Sequence, residues 1–323
     1  MRSFWMKSAA VLGLCLLPVL ADAQQAWPNR QIKLICPFAP GGGTDVIARI
    51  MAKYLSDRLG QQVFVENRAG ANGGLGALEV MRSDPDGYTL GAISDSPMTV
   101  NPSMYSNLQY QPLRDFIPIA RFNHFPSYVV AHPSIPIKTI ADLIAYAKAN
   151  PGKLNYSSGG VGNFSHLGLE MLAFQTGIQL VHVPYKGVGP GTTALIAGDV
   201  QLMYNNVATA LPHVQAGKMT GLAVGTSTRL PALPDVPTVA ETVPGFNVTP
   251  WVGLFGPAKL PKEIAARLSK EIDSVLKDPA VVKNFADQTI RAAYLDSPAF
   301  TQEIQKETDA WAKVIKTLGI KAD

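Results

Sequence analysis

A chain of 323 residues with a formal net charge of +4 is long enough for two domains, because a single hydrophobic core stops growing near ~250–300 residues. Its lysines and arginines form no like-charged block and no basic stripe with interleaved aromatic residues, which argues against nucleic acid as a partner. Its two cysteines, Cys15 and Cys36, are too few for a disulfide framework or a zinc site built of thiolates.

The N-terminus has the features of a secretory signal peptide. Arg2 and Lys7 precede an apolar stretch over residues 9–20, and small residues at 21 and 23 suit a signal-peptidase site. The apolar stretch is shorter than the ~20 residues that cross a bilayer core. We therefore predict that residues 1–23 are a signal peptide, cleaved after Ala23, and that the mature protein is periplasmic.

Short apolar runs alternate with helical patterns along the rest of the chain. The predicted strands are 32–38, 63–65, 89–93, 128–131, 154–157, 180–183, 200–204, 221–224 and 252–255. The predicted helices are 47–59, 72–83, 139–149, 163–176, 190–197, 207–216, 261–277 and 298–317. This alternation predicts an α/β fold with mainly parallel sheets flanked by helices. Cys36 lies in the first apolar run, so we interpret it as a buried small hydrophobe.

Two segments are candidates for crossings between domains. Pro126 interrupts two apolar runs, and a proline-rich stretch at 230–237 precedes the last predicted strand. Two crossings would place the middle of the chain in one lobe and both ends in the other. We predict lobe 1 from residues 24–125 plus 250–323 and lobe 2 from residues 126–249, with a hinge and a cleft between them.

The most informative local feature is a glycine-rich turn at 37–45, Pro-Phe-Ala-Pro-Gly-Gly-Gly-Thr-Asp, between a predicted strand and a predicted helix. Glycines let backbone N–H groups approach a ligand, and the helix dipole adds partial positive charge, which suits a carboxylate or phosphate. A turn without a ligand is the alternative, and the P-loop signature is absent. The candidate ligand-binding residues are Phe38, Ala39, Pro40, Gly42, Gly43 and Thr44. Asp45 and Arg49, four residues apart, are expected to pair with each other.

A second turn of this kind lies at 156–166, where a strand again delivers hydroxyls and glycines to a helix start. Its glycine spacing resembles a dinucleotide fingerprint, but the segment at 180–183 lacks the acidic residue that would bind the ribose. The candidate ligand-binding residues here are Ser158, Gly159, Gly160, Asn163 and Ser165. We expect the two turns to face each other across the cleft and to grip an anionic ligand at both ends.

Four further residues are weaker candidates. Ser94 and Ser96 follow a strand and can offer hydroxyls, although an ordinary turn would look the same. Asn205 follows another strand and can form neutral hydrogen bonds or a helix cap. Trp251 can form a wall of the cleft or pack in the core. Phe38 and Phe164, beside the two turns, can shape an apolar part of the pocket.

Catalytic and metal-binding patterns are poor. The five histidines show no metal-ligand spacing, no Gly-x-Ser-x-Gly elbow occurs, and Ser165 and His166 are helix neighbours that do not face each other. We predict no catalytic residue, no metal and no cofactor. A secreted hydrolase that uses Ser158 or Ser165 is one alternative, and a ligand-sensing receptor for a membrane signalling protein is another.

A series of motifs resembles the extracytoplasmic solute receptors of tripartite tricarboxylate transporters, the Bug family. The matching stretches are 27–32 (Trp-Pro-Asn-Arg-Gln-Ile), 37–45, 65–71, 84–89, 101–102, 150–154, 157–162, 165–167, 183–187 (Val-Pro-Tyr-Lys-Gly), 233–241 and 251–254. Together they span the chain after residue 26 in the family's order.

The resemblance implies a two-lobed fold of the periplasmic-binding-protein (Venus flytrap) type and a carboxylate held between the lobes. It also implies a role for the residues of both turns, a membrane partner of one large and one small subunit, and no enzymatic activity. We expect the receptor to be a monomer.

Two departures from the family pattern bear on the ligand. The family's Thr-Asp-Leu is Thr193-Ala194-Leu195 here, and Asn205 stands where an acidic residue is common. Without a carboxylate in the cleft to pair an ammonium, a di- or tricarboxylate is favoured over an amino acid. Aliphatic and aromatic acids both stay open.

Overall fold

The computed structural model describes residues 27–321. The predicted signal peptide at 1–23 and its cleavage site lie outside these residues. No helix between residues 27 and 321 has both the length and the apolarity needed to cross a membrane.

A six-stranded sheet forms the first half of the fold. In chain order its strands are β1 (Ile32–Cys36), β2 (Val63–Asn67), β3 (Thr89–Ser94), β4 (Phe116–His124), β10 (Trp251–Pro257) and β11 (Arg291–Asp296), and their spatial order is β11-β4-β10-β3-β1-β2. Its helices are α1 (Gly43–Leu59), α2 (Gly74–Arg82), α3 (Asn101–Met104), α4 (Pro112–Asp115), α9 (Lys262–Lys277), α10 (Pro279–Asp287) and α11 (Ser297–Leu318). A π-helical turn, Ser96–Val100, follows β3.

A five-stranded sheet forms the second half. Its strands are β5 (Ser127–Ala131), β6 (Asn155–Ser158), β7 (Val181–Pro184), β8 (Leu202–Asn206) and β9 (Thr220–Val224), in the spatial order β7-β6-β8-β5-β9. Its helices are α5 (Ile140–Ala149), α6 (Phe164–Thr176), α7 (Val188–Ala197) and α8 (Val207–Gln215). Leucine, isoleucine, valine and aromatic side chains bury both faces of each sheet against these helices.

The α/β class predicted from the sequence is confirmed, but both sheets are mixed rather than mainly parallel. In the first sheet β10 runs antiparallel to β3 and β4, and in the second sheet β5 runs antiparallel to β8 and β9. The reason is the path of the chain. β5 and β10 are the first strands after each crossing. Each therefore starts on the side of its sheet that faces the other sheet, where the crossing enters, and runs away from that side.

The chain passes from the first sheet to the second between His124 and Ser127 and returns between Val224 and Trp251. A third connection is made by packing. Near its C-terminal end α11 places Ile315 in one apolar cluster with Met104 of α3 and Leu167 of α6. The division into lobes at 125/126 and 249/250 stays a proposal, and lobe 1 and lobe 2 are used below in that sense.

The sequence did not predict β4 or β11. β4 contains Pro118 and the charged Arg121, which interrupt the apolar run that marks a strand. β11 lies at the sheet edge and is only partly buried, so it lacks a strong apolar face. Both strands depend on pairing with residues far away in the sequence.

Candidate functional site

A cavity of about 320 Å³ lies between the two sheets. From the lobe 1 side it is lined by Phe38, Ala39, Pro40, Gly41, Gly42, Gly43, Thr44, Ser94, Asp95, Ser96, Phe125, Pro250 and Trp251. From the lobe 2 side it is lined by Gly159, Asn163, Phe164, Lys186, Gly187, Val188, Gly189, Pro190, Asn206 and Thr209. Both glycine-rich turns therefore line one shared cavity, which has the size of a small-molecule site.

The first turn is held in shape by the start of α1 itself. The Asp45 carboxylate accepts hydrogen bonds from the Gly41 N–H at 2.9 Å, from Arg49 Nε at 2.9 Å and from Asn67 Nδ2 at 2.8 Å. Burial raises the pKa of Asp45, but these hydrogen bonds outweigh it and hold the pKa below its usual value. The expected pairing of Asp45 with Arg49 is confirmed, and neither residue is among those that line the cavity.

No side chain caps α1, whose N-cap residue is Gly42. The first N–H groups of a helix have no partner within the helix, so those of α1 are available to a ligand at Gly43 and Thr44. Gly43 is also close to the opposite wall. A Cβ atom at this position would lie 3.1 Å from the Phe125 ring and 3.5 Å from Asn206 Nδ2. The lack of a side chain keeps the helix end open.

Two helices of lobe 2 also start at the cavity without a side-chain cap. Their N-cap residues are Gly187 for α7 and Asn206 for α8, and both line the cavity. Of the remaining longer helices, α5, α6, α10 and α11 are each capped by the side chain of the N-cap residue, whereas α2 and α9 are uncapped away from the cavity. The cavity therefore receives three helix N-termini without a side-chain cap, each with the partial positive charge of a helix dipole. At α8 the Val207 N–H donates to the Pro126 carbonyl at 3.0 Å, so the open amides there begin at Ala208.

The second glycine-rich turn differs from the first because its own side chains occupy its amides. Ser165 Oγ accepts from the Gly159 N–H at 2.8 Å, and Ser158 Oγ accepts from the Gly160 N–H at 3.1 Å. Asn163 caps α6 by accepting from the Ser165 N–H at 3.1 Å. Gly159 and Asn163 still line the cavity, whereas Ser158, Gly160 and Ser165 do not. In lobe 2 the open amides belong to α7 and α8 instead.

Ser158 and His182 form a buried pair that resembles a catalytic dyad only in its distance. Ser158 Oγ lies 2.5 Å from His182 Nε2, and His182 stacks on His166 with ring centroids 4.0 Å apart. Ser158 is fully buried outside the cavity lining, so a substrate in the cavity does not reach it. Burial lowers the pKa of His182 to about 4 and that of His166 to about 3, which keeps both rings neutral.

The segment after β3 contributes Asp95 to the cavity, a residue that was not among the candidates predicted from the sequence. Ser94 and Ser96 line the cavity as buried hydroxyls, and Asp95 between them lines it too. The premise that the cleft lacks a carboxylate is therefore wrong. Trp251 also lies in the wall, fully shielded from bulk solvent, and its indole N–H donates to Glu307 Oε2 at 2.8 Å.

Of the two adjacent asparagines at the end of β8, Asn206 lines the cavity and Asn205 does not. The side chain of Asn205 is fully buried and donates to Thr192 Oγ1 at 2.9 Å, away from the cavity. The side-chain oxygen of Asn206 is buried and has no hydrogen-bond partner within residues 27–321. An unpaired buried carbonyl oxygen in a cavity wall can accept a hydrogen bond from a donor group on a ligand, such as a hydroxyl.

Lys186 provides a positive charge at the cavity, and the sequence did not single it out as a binding residue. It is the one lysine or arginine among the described residues that line the cavity, and it directly precedes the N-cap of α7. Lys186 belongs to the Val-Pro-Tyr-Lys-Gly stretch that resembles the receptor family, which could have indicated a role in binding. A lysine before a glycine is, however, also typical of an exposed loop.

The buried acids and histidines around the cavity predict an optimum in stability near pH 6.5. Burial raises the pKa of Asp95 to about 7 and that of Glu307 to about 8, so in this range the native state holds protons that the unfolded chain has lost. The free energy of unfolding therefore falls as the pH rises from 6.5 to 8. Below pH 6.5 the unfolded chain protonates His124, His166 and His182, whose native pKa values are lowered to about 3–4, so stability falls there too.

Urea unfolding at a series of pH values from about 5 to 8.5 would measure this profile. The variant Asp95→Asn should flatten the decline above pH 6.5 and steepen the rise of stability below it, because native Asp95 keeps its proton between about pH 4 and 7 while the unfolded chain loses it. Asp287→Asn, at an exposed acid of α10 paired with Lys283, is the matched control and should alter neither side. A wild-type stability that keeps rising from pH 6.5 to 8 would contradict the assignment.

Comparison with known proteins gives a consistent result. Residues 47–320 match the model of the "Tripartite tricarboxylate transporter family receptor". The chain is 36% identical to "Protein BugT" from Bordetella pertussis over 306 residues, which cover 94% of this chain and 93% of BugT.

Two solved structures from Rhodopseudomonas palustris carry bound ligands. Rpa4515 with adipate is 32% identical, with a TM-score of 0.86 over 91% of this chain and 99% of that one. MatC (Rpa3494) with bound malate is 30% identical, with a TM-score of 0.81 over 90% of this chain and all of that one. Both ligands are dicarboxylates.

Proposed function

Because this chain belongs to the tripartite tricarboxylate transporter receptor family, we propose that it captures a small carboxylate in the cavity between its two sheets and presents it to a membrane transporter. The family consists of periplasmic solute receptors rather than enzymes, and the two-lobed fold is the one that such receptors share. The chain is accordingly a periplasmic carboxylate-binding receptor.

The observation that carries this proposal is the concentration of anion-binding groups at one cavity. The uncapped N-termini of α1, α7 and α8 meet there, and Lys186 adds a full positive charge. Backbone N–H groups at helix ends bind carboxylates without any catalytic side chain. Because these groups come from both lobes, a bound anion stabilises the closed arrangement.

A thermal-shift screen tests the proposal directly. A ligand that binds only the native state stabilises it by ~2.7 kcal/mol when its concentration is 100 times its Kd. We expect at least one member of a panel of aliphatic and aromatic di- and tricarboxylates, including adipate and malate, to raise the melting temperature by several degrees. The matching diamides, which lack the charge, should leave it unchanged.

If every carboxylate in the panel leaves the melting temperature unchanged, the receptor proposal fails. Hydrolysis of ester substrates by the purified protein would instead favour the hydrolase alternative. The buried position of Ser158 and Ser165 speaks against that outcome, since neither hydroxyl lines the cavity.

Two finer points extend the proposal. Cleavage of the signal peptide after Ala23 would give a mature chain that starts at Gln24, which mass spectrometry of the exported protein would show. The membrane partner would consist of one large and one small subunit and would accept the receptor as a monomer. Loss of carboxylate uptake on deletion of either subunit would separate this role from ligand sensing.

A further inference from the structure

The cavity contains an acid that a carboxylate receptor would be expected to avoid. Asp95 lies in the wall between Ser94 and Ser96, and no ion pair to it is found within residues 27–321. An ionised carboxylate without a cationic partner would repel a carboxylate ligand, and shielding such a charge from water costs several kcal/mol. An acid at this position is compatible with carboxylate binding only if it is not ionised when the ligand is bound.

The surroundings of Asp95 favour its protonated form. Helix α11 packs against the π-helical turn that follows Asp95 and places two more acids there. Burial, and after it the nearby charge of Asp95, raise the pKa of Glu307, which accepts the indole N–H of Trp251. Glu303 is paired with Arg121 of β4. Across the cavity, the cation is Lys186. Burial raises the pKa of Asp95 to about 7, and the hydrogen bonds that it accepts from the Ser96 N–H and hydroxyl oppose this only in part.

A protonated carboxyl group changes what the wall offers to a ligand. It carries an O–H donor, and an O–H···O⁻ hydrogen bond to a carboxylate is short and strong. The open ends of α1, α7 and α8 together with Lys186 supply more positive character than a single carboxylate requires. A ligand with two carboxylates could therefore place one at the helix ends and the other against Asp95.

We propose that Asp95 is the specificity-determining residue for a dicarboxylate, which it binds as a neutral acid by donating its proton in a hydrogen bond to the ligand's second carboxylate. This inference rests on the proposed function. The proton balance is simple: above neutral pH the ligand-free receptor has an ionised Asp95, so each dicarboxylate that binds takes up one proton from solvent. Dicarboxylate affinity then falls as pH rises.

The opposite specificity would give the opposite pH dependence. If the ligand were a zwitterionic amino acid, an ionised Asp95 would accept from the ammonium group, and affinity would rise with pH. The sign of the pH dependence therefore separates the two ligand classes. His124, His166 and His182 do not titrate in this range, because their pKa values are about 3 to 4.

The test is calorimetric titration with adipate, malate and aspartate between about pH 6.5 and 8.5. We expect the Kd of at least one dicarboxylate to rise by up to about tenfold per pH unit above pH 7, with uptake of close to one proton at pH 8. Proton uptake is measured on the wild type from titrations in two buffers of different ionisation enthalpy. In Asp95→Asn both effects should disappear while dicarboxylate binding persists, and Asp287→Asn should behave as wild type.

Three outcomes would overturn the inference. They are a pH-independent Kd in the wild type, affinity for aspartate above that for every dicarboxylate without an ammonium group, and loss of dicarboxylate binding in a folded Asp95→Asn protein. The wild-type proton count decides the matter even if the variant does not fold. Binding of a carboxylate without any proton uptake refutes only the role of Asp95, whereas the absence of carboxylate binding at every pH refutes the proposed function as well.

Discussion

Replacing Lys186 with methionine is expected to weaken dicarboxylate binding by about 10- to 100-fold. Hydrogen bonds to charged groups contribute roughly 1.5–3 kcal/mol, and each 1.4 kcal/mol corresponds to a factor of ten in Kd. Methionine keeps most of the length of the side chain and removes its charge. Calorimetric titration at two salt concentrations should also show a weaker salt dependence in the variant, because one charge–charge interaction is gone.

Lys218→Met is the control for the lost charge. Lys218 is an exposed lysine after α8 and does not line the cavity. Its replacement should leave the Kd within a factor of two, by our estimate for a surface change remote from the site. Equal Kd values for Lys186→Met and the wild type would mean that the helix N-termini alone neutralise the ligand.

Replacing Gly43 with valine is expected to reduce binding by more than about 100-fold, a loss of at least ~2.7 kcal/mol. The new Cβ atom would start 3.1 Å from the Phe125 ring, and the added methyl groups would cover the open N–H groups of α1. The fold should survive, since Gly43 begins a helix and needs no left-handed backbone. Titration calorimetry together with the melting temperature of the ligand-free protein measures both properties.

Two further variants serve as a graded change at the same position and as a control outside the cavity. Gly43→Ala requires Phe125 to move by only a few tenths of an ångström, so it should cause a smaller loss. Ala280→Val places a valine in the first turn of α10, outside the cavity, and should leave binding intact. If Gly43→Val bound dicarboxylates as tightly as the wild type, the start of α1 would not be part of the binding site.

The sequence predicted the parts of the site that depend on local geometry. The turn at 37–45 is recognisable because its glycines, its position after a buried strand and the following helix all lie within one short segment. The nine predicted strands are all present, with ends shifted by up to a few residues. Apolar runs of this kind reflect burial, which is a strong and local signal.

The parts that the sequence did not predict depend on competition between side chains in three dimensions. Ser165 looks like a hydroxyl at a helix start, but its partner is the Gly159 N–H. Asp95 stands between two serines in an ordinary-looking turn, and its raised pKa comes from burial in the folded protein, which includes packing of α11 against the following turn. The choice of Asn206 over Asn205 depends on which way two adjacent side chains of β8 point.

The position of β10 between β3 and β4 also determines the order in which the new chain can fold. Before residue 251 has been synthesised, β4 has neither of its partners, because these are β10 and β11. The second sheet, in contrast, is complete once Val224 is available. We therefore expect the second sheet to become ordered early, while β4 joins β1, β2 and β3 only after β10 and β11 have been made, and this long-range closure to be the slow step of folding.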